Sequence, residues 1–150
     1  MRRKIITLLL CLAALLPAAA QKDLAIADLF DGRFQKRGDA VETLLKGKNI
    51  NGYNLSLFRS LTLPVDQKSG LLIEKKVRAD AALAVEKEVG YKENRLYYGF
   101  FRLPPRRQQG PNRFIFFRNN GLRKDRKPML TLIYMESTAN MEELRRTFAK

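Results

Sequence analysis

Residues 95–103 read RLYYGFFRL, residues 113–118 read RFIFFR, and residues 129–136 read MLTLIYME. Aromatic and β-branched side chains dominate all three stretches, as is typical of strands. Apolar side chains stand at odd and even positions alike, so both faces of each strand are apolar. A strand of this kind is covered on both sides. We therefore predict three central strands of a sheet: Arg95–Leu103, Arg113–Arg118 and Met129–Glu136.

The connections between these strands are short and favour antiparallel neighbours. Pro104-Pro105 opens the first connection, and Asn119-Asn120-Gly121 opens the second. In such a meander, loops 104–112 and 119–128 lie at opposite ends of the sheet. A strand of about seven residues is about 23 Å long, so the two loops are well separated.

Two further strands are predicted on either side of the turn signal Asn51-Gly52, at 41–46 and 55–63. The second alternates apolar residues with Ser and Thr, the period of a half-buried strand. Arg59 interrupts the alternation and Phe58 is out of phase, which predicts a bulge there. The apolar row consists of Leu55, Leu57, Leu61 and Leu63.

Helical periodicity predicts three helices. A short one spans 22–31, with Leu24, Phe30 and either Ala27 or Ile26 on one face. A long one spans 66–89 and ends at Gly90. Asn140 begins the last, with Glu143 at capping-box spacing. The apolar residues of the long helix are Ile73, Val77, Ala81, Ala84 and Val85, and those of the last are Met141, Leu144 and Phe148.

The order α-β-β-α-β-β-β-α predicts a single α+β domain with a mostly antiparallel sheet of about five strands. The doubly apolar strands leave two alternatives for the sheet faces. Either the three helices cover both faces, or an aromatic face remains for a ligand or a second subunit. The predicted facing sets on the first central strand are Leu96, Tyr98 and Phe100 against Tyr97, Phe101 and Leu103.

The N-terminus has the layout of a secretory signal peptide. Met1–Lys4 is positively charged, an apolar run of about 12 residues follows, which is too short to span a bilayer, and Pro17 precedes an Ala triplet. We predict cleavage between Ala20 and Gln21, which leaves residues 21–150 as an exported domain, periplasmic or secreted, with no transmembrane helix. Leu10 before Cys11 does not fit a lipidation site, so we expect no lipid anchor.

The residues that are missing exclude several chemistries. The chain has no His, so it has no imidazole base and no His-supported nucleophile. Its one Cys, Cys11, leaves with the signal peptide, and no thiolate nucleophile or thiolate metal site remains. No recognisable catalytic motif occurs. We therefore expect a non-enzymatic protein with neither cofactor nor metal.

Positive charge is concentrated in one region. The 150 residues carry a net charge of +14, or 26 cations against 15 acids (+11) without residues 1–20. Nine cations and one acid, Asp125, fall between positions 102 and 127. The candidate anion-binding residues in this region are Arg106, Arg107, Arg113, Arg118, Arg123, Lys124, Arg126 and Lys127.

This charge has three interpretations. Basic residues among aromatics suit nucleic acid, but the βαββαβ order of RNA-recognition modules is absent and export separates the protein from cytoplasmic nucleic acid. Two separated basic ends favour attraction to an anionic surface of lipid headgroups, lipopolysaccharide or acidic glycan. A solvated basic face that keeps the protein soluble is the third interpretation.

One pair of carboxylates is a candidate site for a carboxylate-dependent enzyme. On the predicted 66–89 helix, Asp80 falls near the centre of the apolar stripe, and Glu88 lies on the same side. A partly buried acid can be a tuned catalytic group. The competing interpretation is that Asp80 lies at the edge of the stripe and pairs with Lys76 or Lys87.

Several segments together carry a family resemblance. They are Ile26-Ala27-Asp28-Leu29-Phe30-x-Gly32, 57–61 (LFRSL), 96–100 (LYYGF), 112–120 (NRFIFFRNN) and 131–136 (TLIYME). In these the chain resembles small exported Gram-negative proteins, mainly of gut anaerobes, that are classed as a domain of unknown function. The resemblance implies export and a single domain, and it implies no active site.

We therefore expect a non-catalytic binding module for an anionic surface or partner. The alternatives are a ligand-binding or homodimerising domain that uses an aromatic sheet face, and a carboxylate-dependent enzyme.

Overall fold

Six strands pair in the order β1-β2-β6-β5-β4-β3, and every neighbouring pair is antiparallel. The computed structural model describes residues 23–50 and 52–148. The strands are β1 (Val41–Ile50), β2 (Leu55–Pro64), β3 (Glu86–Lys92), β4 (Arg95–Leu103), β5 (Asn112–Asn119) and β6 (Met129–Ser137). The predicted single α+β domain with an antiparallel sheet is confirmed, but the sheet has six strands rather than five.

Two α-helices and three short 3₁₀ helices complete the described chain. The α-helices are α1 (Gln67–Ala81) and α2 (Met141–Phe148), and the 3₁₀ helices are Ala25–Phe30, Gln35–Arg37 and Asn120–Leu122. Among the described residues, no helix has the length and apolar character needed to cross a membrane. The predicted signal peptide and its cleavage position between Ala20 and Gln21 lie outside the described residues.

The first face of the sheet carries Leu61, Leu63, Ile115, Phe117 and Leu132. The 3₁₀ helix Ala25–Phe30 and α1 bury this face with Ile26, Leu29, Ile73 and Val77. α1 begins at a capping box, in which Asp66 Oδ1 accepts from the Ser69 amide at 2.7 Å and the Asp66 amide donates to Ser69 Oγ.

The second face carries Phe100, Phe114, Phe116, Ile133 and Met135, which pack with Met141 and Leu144 of α2. The Glu143 amide donates to Asn140 Oδ1 at 2.9 Å, so Asn140 caps α2 as the spacing predicted. With only eight residues, α2 covers one end of this face.

The predicted helix 66–89 is wrong in its second half. α1 ends at Ala81, and residues 86–92 form the edge strand β3, which accounts for the sixth strand. Gly90 therefore lies within a strand and ends no helix. Ala82, Leu83 and Ala84 favour helix by intrinsic propensity, whereas the strand that follows is formed by pairing with β4.

The bulge predicted at Phe58 and Arg59 is also wrong. β2 pairs without interruption from Leu57 to Pro64 with β6, and its irregularity lies between Leu55 and Leu57. Arg59 keeps its place in the first-face row because its guanidinium carbon lies 4.7 Å from the centroid of the Phe30 ring. Its Nη2 also donates to the Phe30 carbonyl at 2.9 Å.

A second irregularity changes the predicted facing of β4. Gly90 lies opposite Tyr98 and Tyr91 lies opposite Leu96, so Tyr97 has no partner on β3. The extra residue moves Leu96 to the first face, where it packs with Phe101 and Leu103, rather than with Tyr98 and Phe100 as predicted.

Candidate functional site

The two basic loops lie at opposite ends of the sheet, as the meander predicted. Loop 104–111 joins β4 to β5, and the segment that follows β5 joins it to β6 at the other end. We call residues 119–128 the basic loop. The eight candidate anion-binding residues do not converge on one patch, and they differ in the partners they have within the described chain.

At the 104–111 end, two of the candidate arginines are bound by other residues of the described chain. Arg113 is buried; its Nη1 donates to Asp23 Oδ2 at 2.7 Å and its Nε donates to the Pro104 carbonyl at 2.8 Å. Arg106 lies 3.7 Å from Glu136 Oε1, which also accepts from the Tyr134 hydroxyl. Burial and the Glu136 carboxylate raise the pKa of Tyr134. Of the candidates at this end, Arg107 is the one exposed residue with no ion pair to a described residue.

Arg118 belongs to the second face and not to a loop. Its guanidinium carbon lies 5.5 Å from the ring centroids of both Tyr98 and Phe116. The cation is therefore held over an aromatic surface near the C-terminal end of β5.

The basic loop is fixed by contacts at its start, middle and end. The Gly121 amide donates to Asn119 Oδ1 at 2.9 Å, and the Val65 amide donates to the Pro128 carbonyl at 2.9 Å. In the middle, Arg123 donates to both carboxylate oxygens of Asp125, at 3.0 and 2.8 Å. These hydrogen bonds lower the pKa of Asp125, so its charge is retained and directed at Arg123.

The three remaining cations of the loop point into solvent. Lys124, Arg126 and Lys127 are exposed, and none forms an ion pair within 4.0 Å among the described residues. Because the one acid of the loop is bound by Arg123, it does not neutralise them at contact distance. The basic loop therefore presents three adjacent cations on a backbone anchored at both ends.

A small pocket of about 210 Å³ lies beside the basic loop. Its lining includes Arg95, Asn119, the α1 N-cap residue Asp66 and the first residue of α1, Gln67. A Cβ atom at Gly70 would stand 3.3 Å from Asn119 Nδ2 and 3.7 Å from Arg95 Nη2, so the glycine leaves room where the two donors approach each other. Arg95 Nε is held by Glu74 Oε1 at 3.0 Å.

The pocket itself carries no excess of positive charge. Glu74 offsets Arg95, and Asp66 adds a carboxylate to the lining. The Ser69 amide and hydroxyl donate to this carboxylate and lower its pKa, so it is ionised. The pocket suits a small polar group rather than a multiply charged anion. The excess positive charge at this end belongs to the basic loop.

The two candidate carboxylates do not form a site. Asp80 is on α1 over the first face, whereas Glu88 is on β3 opposite Phe100, on the second face. The sheet therefore separates them, and their placement on one helical side is wrong. Glu88 is exposed and lies 3.8 Å from Arg145.

Asp80 stabilises the N-terminal segment. It is 3 % exposed, and its two carboxylate oxygens accept from the amides of Ala25 and Ile26 at 2.8 and 2.9 Å. Burial raises its pKa above the usual value of 3.8, and the two amides act in the opposite direction. The predicted pairing with Lys76 or Lys87 is wrong, because Lys76 binds Asp28 at 2.7 Å.

Part of the second face is accessible beyond α2. Tyr98 and Arg118 are half-buried, as are Thr62 and Thr131 on the neighbouring strands, while Val41 and Thr43 at the edge are exposed. Neither alternative predicted for the sheet faces holds completely: helices cover the first face, and α2 covers only part of the second.

Sequence reasoning missed Arg95 and Asn119 as pocket residues. In the sequence they stand at ordinary positions, a strand start and a loop start, and they come together only when α1 packs beside the start of β4 and the end of β5. Among the described residues, no group of three or more acidic, His or Cys side chains is arranged to hold a metal ion.

The sequence profile of a protein family described as a family of unknown function, DUF6108, matches residues 13–148. The chain belongs to this family. The DUF6108 match covers every described strand and both α-helices. The description of DUF6108 assigns no activity, ligand or site. No curated protein and no solved structure matches the chain.

Proposed function

We propose that this DUF6108 chain is an exported, non-catalytic module that binds an anionic lipid surface through the basic loop. The observation that supports the proposal is the run of Lys124, Arg126 and Lys127. All three are exposed and have no ion pair to a described residue, on a loop whose own acid is bound by Arg123.

The anchored backbone of the loop favours binding. A flexible basic tail loses conformational freedom when it adsorbs, whereas this loop is already held by the Asn119–Gly121 and Val65–Pro128 hydrogen bonds. Each cation near an anionic membrane contributes about 1 kcal/mol. Three cations therefore contribute about 3 kcal/mol to membrane binding at moderate salt.

The distribution of charge favours a surface over a groove-bound polymer. Arg106 and Arg113 at the opposite end are engaged with Glu136 and Asp23, so the described residues form no continuous basic track from one end of the sheet to the other. A single protruding basic loop contacts a flat layer of phosphate groups without needing such a track. Acidic glycan shares this chemistry and is one outcome of the test below.

The cellular location in the proposal comes from the N-terminal sequence. A positively charged start, a short apolar run and the Ala18–Ala20 triplet favour export to the periplasm or the medium, without a lipid anchor. Both destinations contain anionic surfaces in Gram-negative bacteria, namely lipid headgroups and lipopolysaccharide. Nucleic acid is not a partner in this proposal.

The experiment is sedimentation of the purified, naturally processed protein with lipid vesicles. Vesicles of phosphatidylcholine alone are compared with vesicles that contain phosphatidylglycerol or lipopolysaccharide, at about 0.05 M and about 0.5 M salt. We expect binding to the anionic vesicles only, with most of it lost at the higher salt concentration. Equal binding at both salt concentrations, or none at the lower, contradicts the proposal.

A parallel arm separates lipid from glycan. A soluble acidic polysaccharide is added to anionic vesicles at matched charge concentration. If the lipid surface is the partner, the polysaccharide competes weakly; complete displacement from the vesicles identifies acidic glycan instead.

The accessible part of the second face supports a second candidate function, the binding of a small ligand. Tyr98 and Arg118 are half-buried there, and the Arg118 guanidinium carbon lies 5.5 Å from the centroids of the Tyr98 ring and the buried Phe116 ring. Chemical shifts of Tyr98 and Ile133, followed by NMR during titration with a library of sugars and aromatic fragments, test this candidate. Shifts confined to second-face residues support it, and an unchanged spectrum throughout the library contradicts it.

A further inference from the structure

The outer edge of β1 carries exposed apolar side chains on both faces. Val41 is 63 % exposed, Leu44 is 52 % exposed and Leu45 is 40 % exposed. β1 pairs with β2 on one side only and is the terminal strand of the sheet. An edge strand offers a row of backbone donors and acceptors to any strand that aligns with it.

We propose that two copies of this chain associate through β1, as antiparallel neighbours with Leu44 opposite Leu44. A twofold axis then passes between the two Leu44 residues, and the same surface is used by both copies. In this register Thr43 of one copy lies opposite Leu45 of the other, and Val41 lies opposite Gly47.

Charge complementarity selects this register. With Leu44 on the axis, Glu42 of each copy lies opposite Lys46 of the second copy, which gives two identical pairs of opposite charge. Residues opposite each other in an antiparallel pair share one face, and their Cβ atoms are about 4.5–5.5 Å apart, within reach of these long side chains. Both residues do lie on the first face, because Glu42 is opposite Leu61 and Lys46 is opposite Leu57 on β2.

Glu42 and Lys46 are both available for this contact. Within the described chain neither side chain forms an ion pair within 4.0 Å. The backbone of β1 is regularly paired with β2 from Val41 to Lys46. Glu42 Oε1 is shielded from solvent and has no hydrogen-bond partner among the described residues. When the half-buried Glu42 side chain rotates outward, an ammonium group of a second copy supplies its carboxylate with a partner.

The other edge of the sheet is less suited to self-association. On β3, Glu86 is bound by Arg102 at 2.8 Å and Glu88 lies 3.8 Å from Arg145, so its acids have partners in the same chain. The pairing of β3 is also interrupted between Gly90 and Tyr91. Such an interruption bends the strand and weakens its edge as a template.

The geometry defines the extent and shape of the dimer. Pairing of β1 becomes irregular between Lys46 and Ile50, which limits the shared ladder to about seven residues, Val41 to Gly47. The two sheets join into one of twelve strands. The α1 layers of both copies lie on the same side of it, since opposite residues share a face.

The experiment measures the dimer dissociation constant by sedimentation equilibrium from about 1 μM to about 100 μM protein. Glu42→Lys and Lys46→Glu each place like charges opposite one another twice. Because each pair changes from attraction to repulsion, we expect either variant to raise the dissociation constant about tenfold or more. The double variant Glu42→Lys/Lys46→Glu restores opposite charges and is expected to return to within about threefold of the wild type.

Matched variants on β3 serve as controls. Lys87→Glu repeats the charge reversal at an exposed edge position, and Tyr91→Glu, at a residue that is 59 % exposed, matches Leu44→Glu. We expect Leu44→Glu to abolish the dimer and both β3 variants to leave its dissociation constant unchanged. Thermal unfolding of each variant confirms that the monomer is folded.

Three results would overturn the proposal. The first is a wild-type protein that is monomeric throughout the concentration range. The second is a dimer that the single charge reversals do not weaken, which would place the interface elsewhere, for example on the second face. The third is a double variant that is no tighter than the single variants, which would exclude the Glu42–Lys46 register.

Discussion

The ring of Phe101 lies over Gly99 on the first face of the sheet: a Cβ atom on Gly99 would stand 2.5 Å from Phe101 Cε2. Both residues are fully buried in the centre of β4, where the ring has no free space to move into. We expect Gly99→Ala to lower the free energy of unfolding by about 1–3 kcal/mol through overpacking, as measured by urea denaturation.

Gly90→Ala is the matched control for that variant. Gly90 is the neighbouring-strand glycine on β3, and a Cβ atom there would lie 3.7 Å from Tyr98 Cβ, an ordinary contact. We expect a change in stability of less than about 0.5 kcal/mol. Equal stability of Gly99→Ala and Gly90→Ala would show that the Phe101 ring does not need the glycine.

Asp80→Asn tests whether Asp80 stabilises the fold. An amide side chain offers one acceptor oxygen to the two amides of Ala25 and Ile26, so one buried donor loses its partner. The expected loss of stability is about 1–3 kcal/mol. Glu88→Gln, which affects an exposed residue near Arg145, is expected to change stability by less than about 0.5 kcal/mol.

The raised pKa of Asp80 gives this residue a defined pH dependence. Below the usual value of 3.8 the carboxyl is protonated in both the folded and the unfolded chain; as the pH rises, it ionises first in the unfolded chain. Stability from this group is therefore fully present below pH 3.8 and is lost as the pH rises through the folded pKa. We expect the free energy of unfolding of the wild type, relative to that of Asp80→Asn, to be highest below pH 3.8 and to fall as the pH rises above it. A difference that stays constant or increases contradicts the assignment.

Variants of Arg113 and Asp23 test whether Arg113 stabilises the fold or binds anions. The Arg113 side chain is 7 % exposed and bound to Asp23 and to the Pro104 carbonyl. We expect Asp23→Asn to cost about 2 kcal/mol of stability, because a buried guanidinium loses its counter-charge. We expect Arg113→Met to destabilise the fold and to leave vesicle binding unchanged. If folded Arg113→Met protein no longer binds vesicles, Arg113 contributes to anion binding as well as to stability.

Processing of the N-terminus tests the predicted export. Mass spectrometry of the protein isolated from its own cells is expected to give a chain that begins at Gln21. We expect to recover the protein from the periplasmic fraction or from the medium. A mature protein that retains Met1 and remains in the cytoplasm would remove the location on which the proposed function depends.

The local sequence pattern was sufficient to predict the central strands but not the edge strand β3 beside them. β4, β5 and β6 were predicted within one or two residues because their aromatic and β-branched runs are long and flanked by turn residues. β3 was missed because Ala82–Ala84 continue a helical pattern, and the strand depends on pairing with β4, about ten residues away in sequence.

The candidate site was predicted only in part for a related reason. The concentration of charge between positions 102 and 127 is visible in the sequence, but the partners of each cation are not. Arg113 meets Asp23 across 90 positions, whereas Arg123 meets Asp125 within its own loop. Only the folded chain distinguishes cations bound by such partners from Lys124, Arg126 and Lys127.

Two triple variants of equal charge decide whether the basic loop binds an anionic surface. Lys124→Gln/Arg126→Gln/Lys127→Gln removes three cations from the loop. Lys48→Gln/Lys75→Gln/Lys87→Gln removes three exposed cations elsewhere. The measurement is the partition coefficient on phosphatidylglycerol-containing vesicles at low salt.

We expect the loop variant to bind about 100-fold more weakly than the wild type, as about 1 kcal/mol per cation requires. We expect the control variant to bind within about threefold of the wild type, because its three cations lie away from the surface contact. Equal weakening of both variants would show that net charge alone attracts the protein, and unchanged binding by the loop variant would show that the basic loop is not the lipid contact.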